Sequence, residues 1–472
     1  MRVAAIALTL AALALAPLAC SSSKNHGSDG GGGNGGAGGS GGGGGGNSVP
    51  PLGDGGTVSY DCASEIHVAT TGDDSAAGTM AAPMKTIAKA APKATAGTCI
   101  QVHAGTYAES TTISFNADGT QAMPIVLRSA DGKGAAIIDA SGIGSGEGIL
   151  VRHDFIIIDG FTVTNFPTTT SQQPVHFDGL NTGKCNGSVL RNSKITSGYN
   201  QLKINETATN VLIEYNEFFG TWSADGPALS LTSAPGLVFR QNYCHDWNSG
   251  GNGAVQLKGG SHDVVFDGNR FENVTSDSGT IALGDGCDST CDIDPNHYAA
   301  VRVHAINNVM VNVGRGFDIQ GCQDCEVASN TIVGSGAGNV IFKLTSATTN
   351  GTTQNTVNAK IEDNLVDNAS GNLGSVMQVN SGSDSGMVSD YNLIWNNGGS
   401  VNWGDGHPST ADAHSVMGDP KLANASSGDY SPGAGSAAIG AGTNLFSDVP
   451  HDILGNPRPA TGNFDIGAYQ SH

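Results

Sequence analysis

One short pattern returns throughout this chain and constrains its fold more than any other feature: an asparagine leading at once into apolar residues. It reads Asn192-Ser-Lys-Ile, Asn216-Glu-Phe-Phe, Asn242-Tyr-Cys-His, Asn269-Arg-Phe-Glu, Asn308-Val-Met-Val, Asn330-Thr-Ile-Val, Asn364-Leu-Val-Asp and Asn392-Leu-Ile-Trp. The successive spacings are 24, 26, 27, 39, 22, 34 and 28 residues. A period of this size marks a solenoid, and the long steps read as coils carrying an insertion. Each repeat also holds an alternating strand, such as Gln201-Leu-Lys-Ile-Asn, and a second strand that runs into the asparagine, as in Asn210-Val-Leu-Ile-Glu-Tyr. Three short parallel strands per coil predict an all-β chain wound as a parallel β-helix. The asparagine is placed at the tight turn between the second and third strands. There it tolerates a left-handed backbone and stacks amide on amide from coil to coil. Antiparallel propellers and sandwiches do not require one residue type at one corner at this period.

The flanks of the repeat set the domain boundaries. Residues 1–19 read as a signal peptide: Met1 and Arg2 open an apolar run too short for a comfortable membrane span. Cys20, followed by three serines, resembles the lipidated first residue of a bacterial lipoprotein; simple cleavage is the alternative. Residues 20–57 form a Gly/Ser-rich tether that cannot bury a core. The β-helix with its N-terminal cap is assigned to 58–415 and a C-terminal cap segment to 416–472. The expected location is the outer membrane or cell surface, held by acyl lipid, or the secreted fraction. A monomer is expected.

The formal charge of −21 disfavours nucleic acid as a partner. It also means that a polyanionic substrate requires a local basic strip or bridging cations. Setting Cys20 aside leaves eight cysteines, for which an oxidising compartment makes disulfides the default. The candidate pairs are Cys62–Cys99, Cys287–Cys291 and Cys322–Cys325, with zinc as the rival reading for the close pairs.

The asparagine-anchored coils resemble the pectate-lyase-like superfamily of right-handed β-helices. Ile66-His-Val-Ala-Thr-Thr-Gly, Pro83-Met-Lys-Thr-Ile-Ala-Lys-Ala and Ile100-Gln-Val-His-Ala-Gly-Thr-Tyr resemble the entry to many secreted members, with residues 84–95 as an amphipathic capping helix. Gly418-Asp-Pro-Lys-Leu, Gly455-Asn-Pro-Arg-Pro and Asp465-Ile-Gly-Ala-Tyr resemble the C-terminal part of bacterial surface β-helix proteins. The resemblance implies architecture, and a scaffold shared by lyases, hydrolases, epimerases and adhesins.

It further implies that chemistry sits on the outward face of the first strand of each coil. Alternation gives that face as His176/Asp178, Lys203/Asn205, Ser230/Thr232, Gln256/Lys258, Ala282/Gly284, Asp318/Gln320, Lys343/Thr345 and Gln378/Asn380. Substrate contacts are expected from Lys203, Gln256, Asp318, Gln320, His176 and Asp178. Asp178 and Asp318 lie five coils apart, roughly 24 Å, too far for the carboxylate pair of a glycosidase. Lysine-based β-elimination of a uronate fits better, with Lys258 or Lys343 as base; the Lys343 strand resembles the one that carries the base in calcium-dependent pectate lyases. Calcium is the expected cofactor. Its candidate ligands are Asp225 and the acidic loop Asp285, Asp288, Asp292 and Asp294, which is also expected to wall a groove. Trp222, His245 and Trp247 are candidates for stacking on sugar, or for packing a loop onto the coil. The reading is thus a carbohydrate-active surface protein, a uronate lyase if catalytic. The alternative is a non-catalytic adhesin or structural protein that binds glycan.

Overall fold

A computed structural model describes residues 55–471 except 57, 169–172, 181–182, 223–226, 228, 248–252, 276–277 and 335–339, and only the backbone of 221 and 222. Cys20, residues 1–19 read above as a signal peptide, and Asp225 lie outside the described residues. Three parallel sheets wind in succession. The first-strand sheet has ten strands, from Ile113–Ser114 to Ser375–Val379; the second runs from Ser64–Val68 to Val388–Asp390, and the third from Gly105–Ala108 to Leu393–Trp395.

The inward files of the first sheet are apolar and in register. Val175, Leu202, Leu229, Val255, Ile281, Phe317, Phe342 and Met377 follow one another across eight strands, all fully buried or nearly so. A one-residue slip would turn every one of them to the outside, so the alternation itself fixes the register. At the N-terminal end the short helix Ile87–Ala90 and the turn Ala91–Lys93 lay Ile87, Ala90, Ala91 and Ala94 on the core. The capping helix expected over 84–95 is thus present but shorter, a single α-turn followed by a 3-10 turn.

The corner asparagines stack as a ladder. From Asn216 through Asn242, Asn269, Asn308, Asn330 and Asn364 to Asn392, each Nδ2 donates to the next Oδ1 at 2.9–3.1 Å. Each Oδ1 also accepts the backbone N–H of the preceding coil's asparagine, and each Nδ2 also donates to a carbonyl, as Asn242 does to Ile213 O at 2.9 Å. Every polar atom of a buried amide is thereby engaged, which low dielectric demands. Two details differ from the sequence reading. The left-handed residue is not the asparagine but the one before it: Tyr215, Gln241, Asn307, Ser329, Asp363 and Tyr391 have φ between 53° and 55°. Asn192 is itself such a corner residue, at φ 53°, and Ser193 occupies the ladder position of that coil, its N–H bonded to Asn216 Oδ1 at 2.9 Å. Both follow from the strand beginning one residue later there than the pattern implied.

The long steps are insertions. One is the acidic loop after Gly279–Leu283; the other is the hairpin Ala347–Thr349/Thr352–Gln354. The disulfides Cys62–Cys99, Cys287–Cys291 and Cys322–Cys325 are present, whereas Cys185 and Cys244 are single thiols buried in the core. An even cysteine count therefore does not pair all eight.

The C-terminal segment packs along the flank of the helix rather than over its end. Val449 and Phe464 cover Ile306 and Ala328, while Ala438 and Ile466 cover Leu365 and Leu393. Its buried Arg458 donates to Asn307 Oδ1 and the carbonyls of Asp465 and Gly467. The flank offers apolar outward residues over several coils, which a single end cap would leave wet. The end of the core is covered instead by Met387, Val401 and Trp403.

Under this strap Asp363 is fully buried. One carboxylate oxygen accepts the Thr443 N–H at 2.8 Å and the other has no partner. Burial pushes its pKa up to about 8, only partly opposed by that N–H and by Arg458. A carboxyl raised in the folded state favours folding fully below its unfolded value, near 4, and loses that contribution as pH rises through 8. Asp363→Asn removes the ionisation, so its gain in stability over the wild type should grow between pH 5 and pH 8, by roughly 1.4 kcal/mol for each unit crossed as an upper bound. Thermal melts at the two pH values check this; an equal shift at both would contradict it.

Candidate functional site

The outward files of the first sheet are in register as the alternation predicts. One runs His176, Lys203, Ser230, Gln256, Ala282, Asp318, Lys343 and Gln378. Beside it, Asp178 faces Asn205, Thr232 faces Lys258, and Gln320 faces Thr345. Five strand steps separate Asp178 from Asp318, as expected.

These residues do not all line one groove. A groove of about 800 Å³ collects the central ones: Lys203, Asn205, Ser230, Thr232, Gln256 and Lys258 form its floor. Tyr199 lies at one end, and Asp285, Asp288 and Thr290 of the acidic loop form a wall. His176, Asp178, Asp318, Gln320 and Lys343 lie outside its lining. Most of these are engaged within the protein. The two ring nitrogens of His176 meet Glu147 Oε1 at 3.1 Å and Asn205 Oδ1 at 2.6 Å. Asp178 accepts Arg152 Nε at 2.7 Å. Asp318 accepts Arg315 at 3.2 Å and the Gly279 N–H at 2.9 Å. Lys343 sits three strand steps from Lys258, about 14 Å, so the two cannot serve one bond.

The acidic loop walls the groove because it is pinned at several points. The Cys287–Cys291 disulfide closes it. Ser233 Oγ donates to Cys291 O, and Gln256 Nε2 to Asp285. Asn350 of the later hairpin donates its N–H to Cys287 O at 2.8 Å. Sequence reasoning found the loop and the disulfide, but not the hairpin that buttresses them; the hairpin's signal was the 34-residue step.

The loop carboxylates do not converge. Asp285 faces Gln256 and the Gly286 N–H, and Asp288 the Thr290 hydroxyl and N–H. Asp292 faces His297 at 2.5 Å, and Asp294 the Tyr298 N–H at 2.8 Å. Among the described residues no three His, Cys, Asp or Glu side chains converge to hold a metal ion. Calcium requires six to eight oxygens around one centre, so these four aspartates do not fit the cage expected of them. The Thr290 hydroxyl and N–H hold the Asp288 carboxyl below its usual range, and Lys258 adds to the effect.

Lys203 and Lys258 make no ion pair or hydrogen bond through their side chains among the described residues, and neither does Lys343. This contrasts with Arg152, Arg191, Arg240, Arg270, Arg302 and Arg315, each paired with a carboxylate. Two of the aromatic candidates lie elsewhere, and the side chain of Trp222 is outside the described residues. Trp247 is buried in the core, and His245 stacks between Phe219 and Tyr243, at 4.8 and 4.2 Å, on the third sheet. They pack and do not line the groove.

Residues 66–288 match the family profile described as the Pel9A-like, right-handed β-helix region. A 77-residue stretch is 42% identical to pectate lyase PEL9 of Emericella nidulans, covering 16% of this chain and 18% of that protein's length. Among solved structures, pectate lyase Pel9A superposes with a TM-score of 0.53 at 17% identity, over 88% of this chain and 98% of that one. XylC in complex with xylose gives 0.50 at 12% identity, over 86% and 98%. Identities this low show a shared fold alone.

Proposed function

On a chain whose residues 66–288 form a Pel9A-like right-handed β-helix domain, we propose a carbohydrate-active protein that lays a uronate glycan along the first-strand groove and cleaves it by β-elimination. One observation carries the reading. Lys258 stands on the groove floor, half-buried, without an ion pair among the described residues, beside the hydrogen-bonding side chains of Ser230, Thr232 and Gln256. The pectate lyases among the similar proteins support the substrate class.

In this reading the neutral amine of Lys258 takes the C5 proton of a uronate ring. The C5–H electron pair forms the C4=C5 double bond as the C4–O glycosidic bond breaks, and the leaving oxygen takes a proton from solvent. Lys203, two strand steps away, is placed to hold a neighbouring sugar ring. The engagement of Asp178 and Asp318 within the protein, and their separation, keep these two aspartates from acting as the carboxylate pair of a hydrolase.

The second reading, glycan binding without cleavage, is favoured by the strand after Lys258, whose outward residues Ala282 and Gly284 offer no functional group. The anchor on Cys20 is proposed to hold either version at the cell surface. Ultraviolet absorbance of unsaturated uronate, followed on a panel of acidic polysaccharides, tests the choice: a signal supports the lyase, and binding without signal supports the second reading. Lys343→Ala should change the rate by less than about threefold, because Lys343 lies outside the groove. A loss as large as that of a Lys258 variant would move the site.

A further inference from the structure

We infer that the substrate of this groove is a uronate whose carboxyl is masked as an ester, rather than a free polyuronate; the inference rests on the lyase reading above. Two independent observations point the same way.

The first is charge. Even with both of its lysines, Lys203 and Lys258, counted as charged, the groove sets two positive groups against three carboxylates, Glu206, Asp285 and Asp288. Its net sign is negative, in a chain of formal charge −21. A free polyuronate brings one negative charge with every ring into a concave, partly desolvated surface, where like charges are screened least. A methyl ester brings none. The wall cannot simply swing aside, since the Cys287–Cys291 disulfide, Gln256 and Asn350 pin it beside Lys258.

The second is the chemistry of the C5 proton. Removing it places negative charge on a carbon next to the C6 carboxyl. When that carboxyl is ionised, the dianionic intermediate needs a cation at C6. The four loop aspartates do not form a cation cage, because each faces its own N–H, amide or imidazole partner. An ester carbonyl accepts the developing charge as a neutral-to-monoanion enolate, which needs no bridging ion. The C5–H bond breaks, the C4=C5 bond forms and the C4–O bond breaks, as for the free acid. The ester itself is carried through intact.

The test uses one polymer in two forms: highly methyl-esterified homogalacturonan and the same material fully de-esterified. The full chain acts on each at low ionic strength, with calcium and with chelator, and unsaturated product is followed by ultraviolet absorbance. The expected result is at least about tenfold faster cleavage of the ester form, unchanged by chelator, with the preference shrinking as salt screens the wall. Asp288→Asn should narrow the ester-to-acid ratio by about threefold or more, since one repelling charge is gone. Faster cleavage of the de-esterified form, or cleavage that depends on calcium, would overturn the inference and leave the lyase reading standing. No unsaturated product from either form would overturn both.

Discussion

Lys258→Met is expected to lower the rate of uronate elimination by roughly 10²- to 10⁴-fold, the range over which a positioned acid–base group acts. The substitution keeps the aliphatic stem that lies on the groove floor and removes only the amine. Because Lys258 makes no ion pair among the described residues, its loss should change stability by less than about 0.5 kcal/mol. A thermal melt run beside the assay separates loss of chemistry from loss of fold. The pH profile adds a reading that a structural role would not give. The basic limb of the wild-type pH–rate profile should be missing from the residual rate of the variant, since the group that takes the proton is gone. A variant that retained most of its activity, or kept the same limb, would remove Lys258 from the chemistry.

The second large effect concerns the fold. Asn308→Ala is expected to destabilise the β-helix by about 3–5 kcal/mol, through buried polar groups left without partners. Asn308 Oδ1 accepts both the N–H and the Nδ2 of Asn269, and its own Nδ2 donates to Phe266 O and Asn330 Oδ1, all at 3.0 Å. Truncation strands the Asn269 N–H and the Phe266 carbonyl in the core, out of reach of water. Asn358 makes the same kind of coil-to-coil bond, to Asp324 Oδ1 at 2.8 Å, but on an exposed corner. Water can replace that bond, so Asn358→Ala should cost less than about 1 kcal/mol. Denaturant titration of the two variants compares them directly. Equal effects would mean that the ladder's burial does not matter.

The architecture was legible because it repeats. Period-two alternation names the outward file from His176 to Gln378, and one asparagine per coil counts the turns. Both signals are local and redundant, so a few ambiguous coils do not spoil them. The ladder's first member was misassigned because Asn192 and Ser193 both suit a corner, and the pattern does not show which one points inward. The left-handed residue was missed because Tyr215, Gln241 and Tyr391 carry no turn signature. They are held at positive φ by the coils above and below.

The site was legible only in part. Alternation says that a side chain points outward, but not what meets it there. Asp178 and Asp318 read as open groove residues, and each proves to hold an arginine. Trp247 read as a loop tryptophan because a glycine-rich stretch follows it, yet it is inward on its strand. The acidic loop read as a calcium cage from composition. Its aspartates instead satisfy the N–H groups of their own tight turns, as short acidic side chains do. Charge count survives translation into structure, whereas convergence of ligands does not.

Cleavage by elimination in the Lys258 groove is tested most directly by the mass of the wild-type products. Digestion of a uronate polymer should yield fragments that carry a C4=C5 double bond, each lighter by one water than the matching hydrolysis fragment, and Lys258→Met should abolish them. Fragments at the hydrolysis mass alone, or intact polymer retained by the protein without cleavage, would contradict cleavage by elimination.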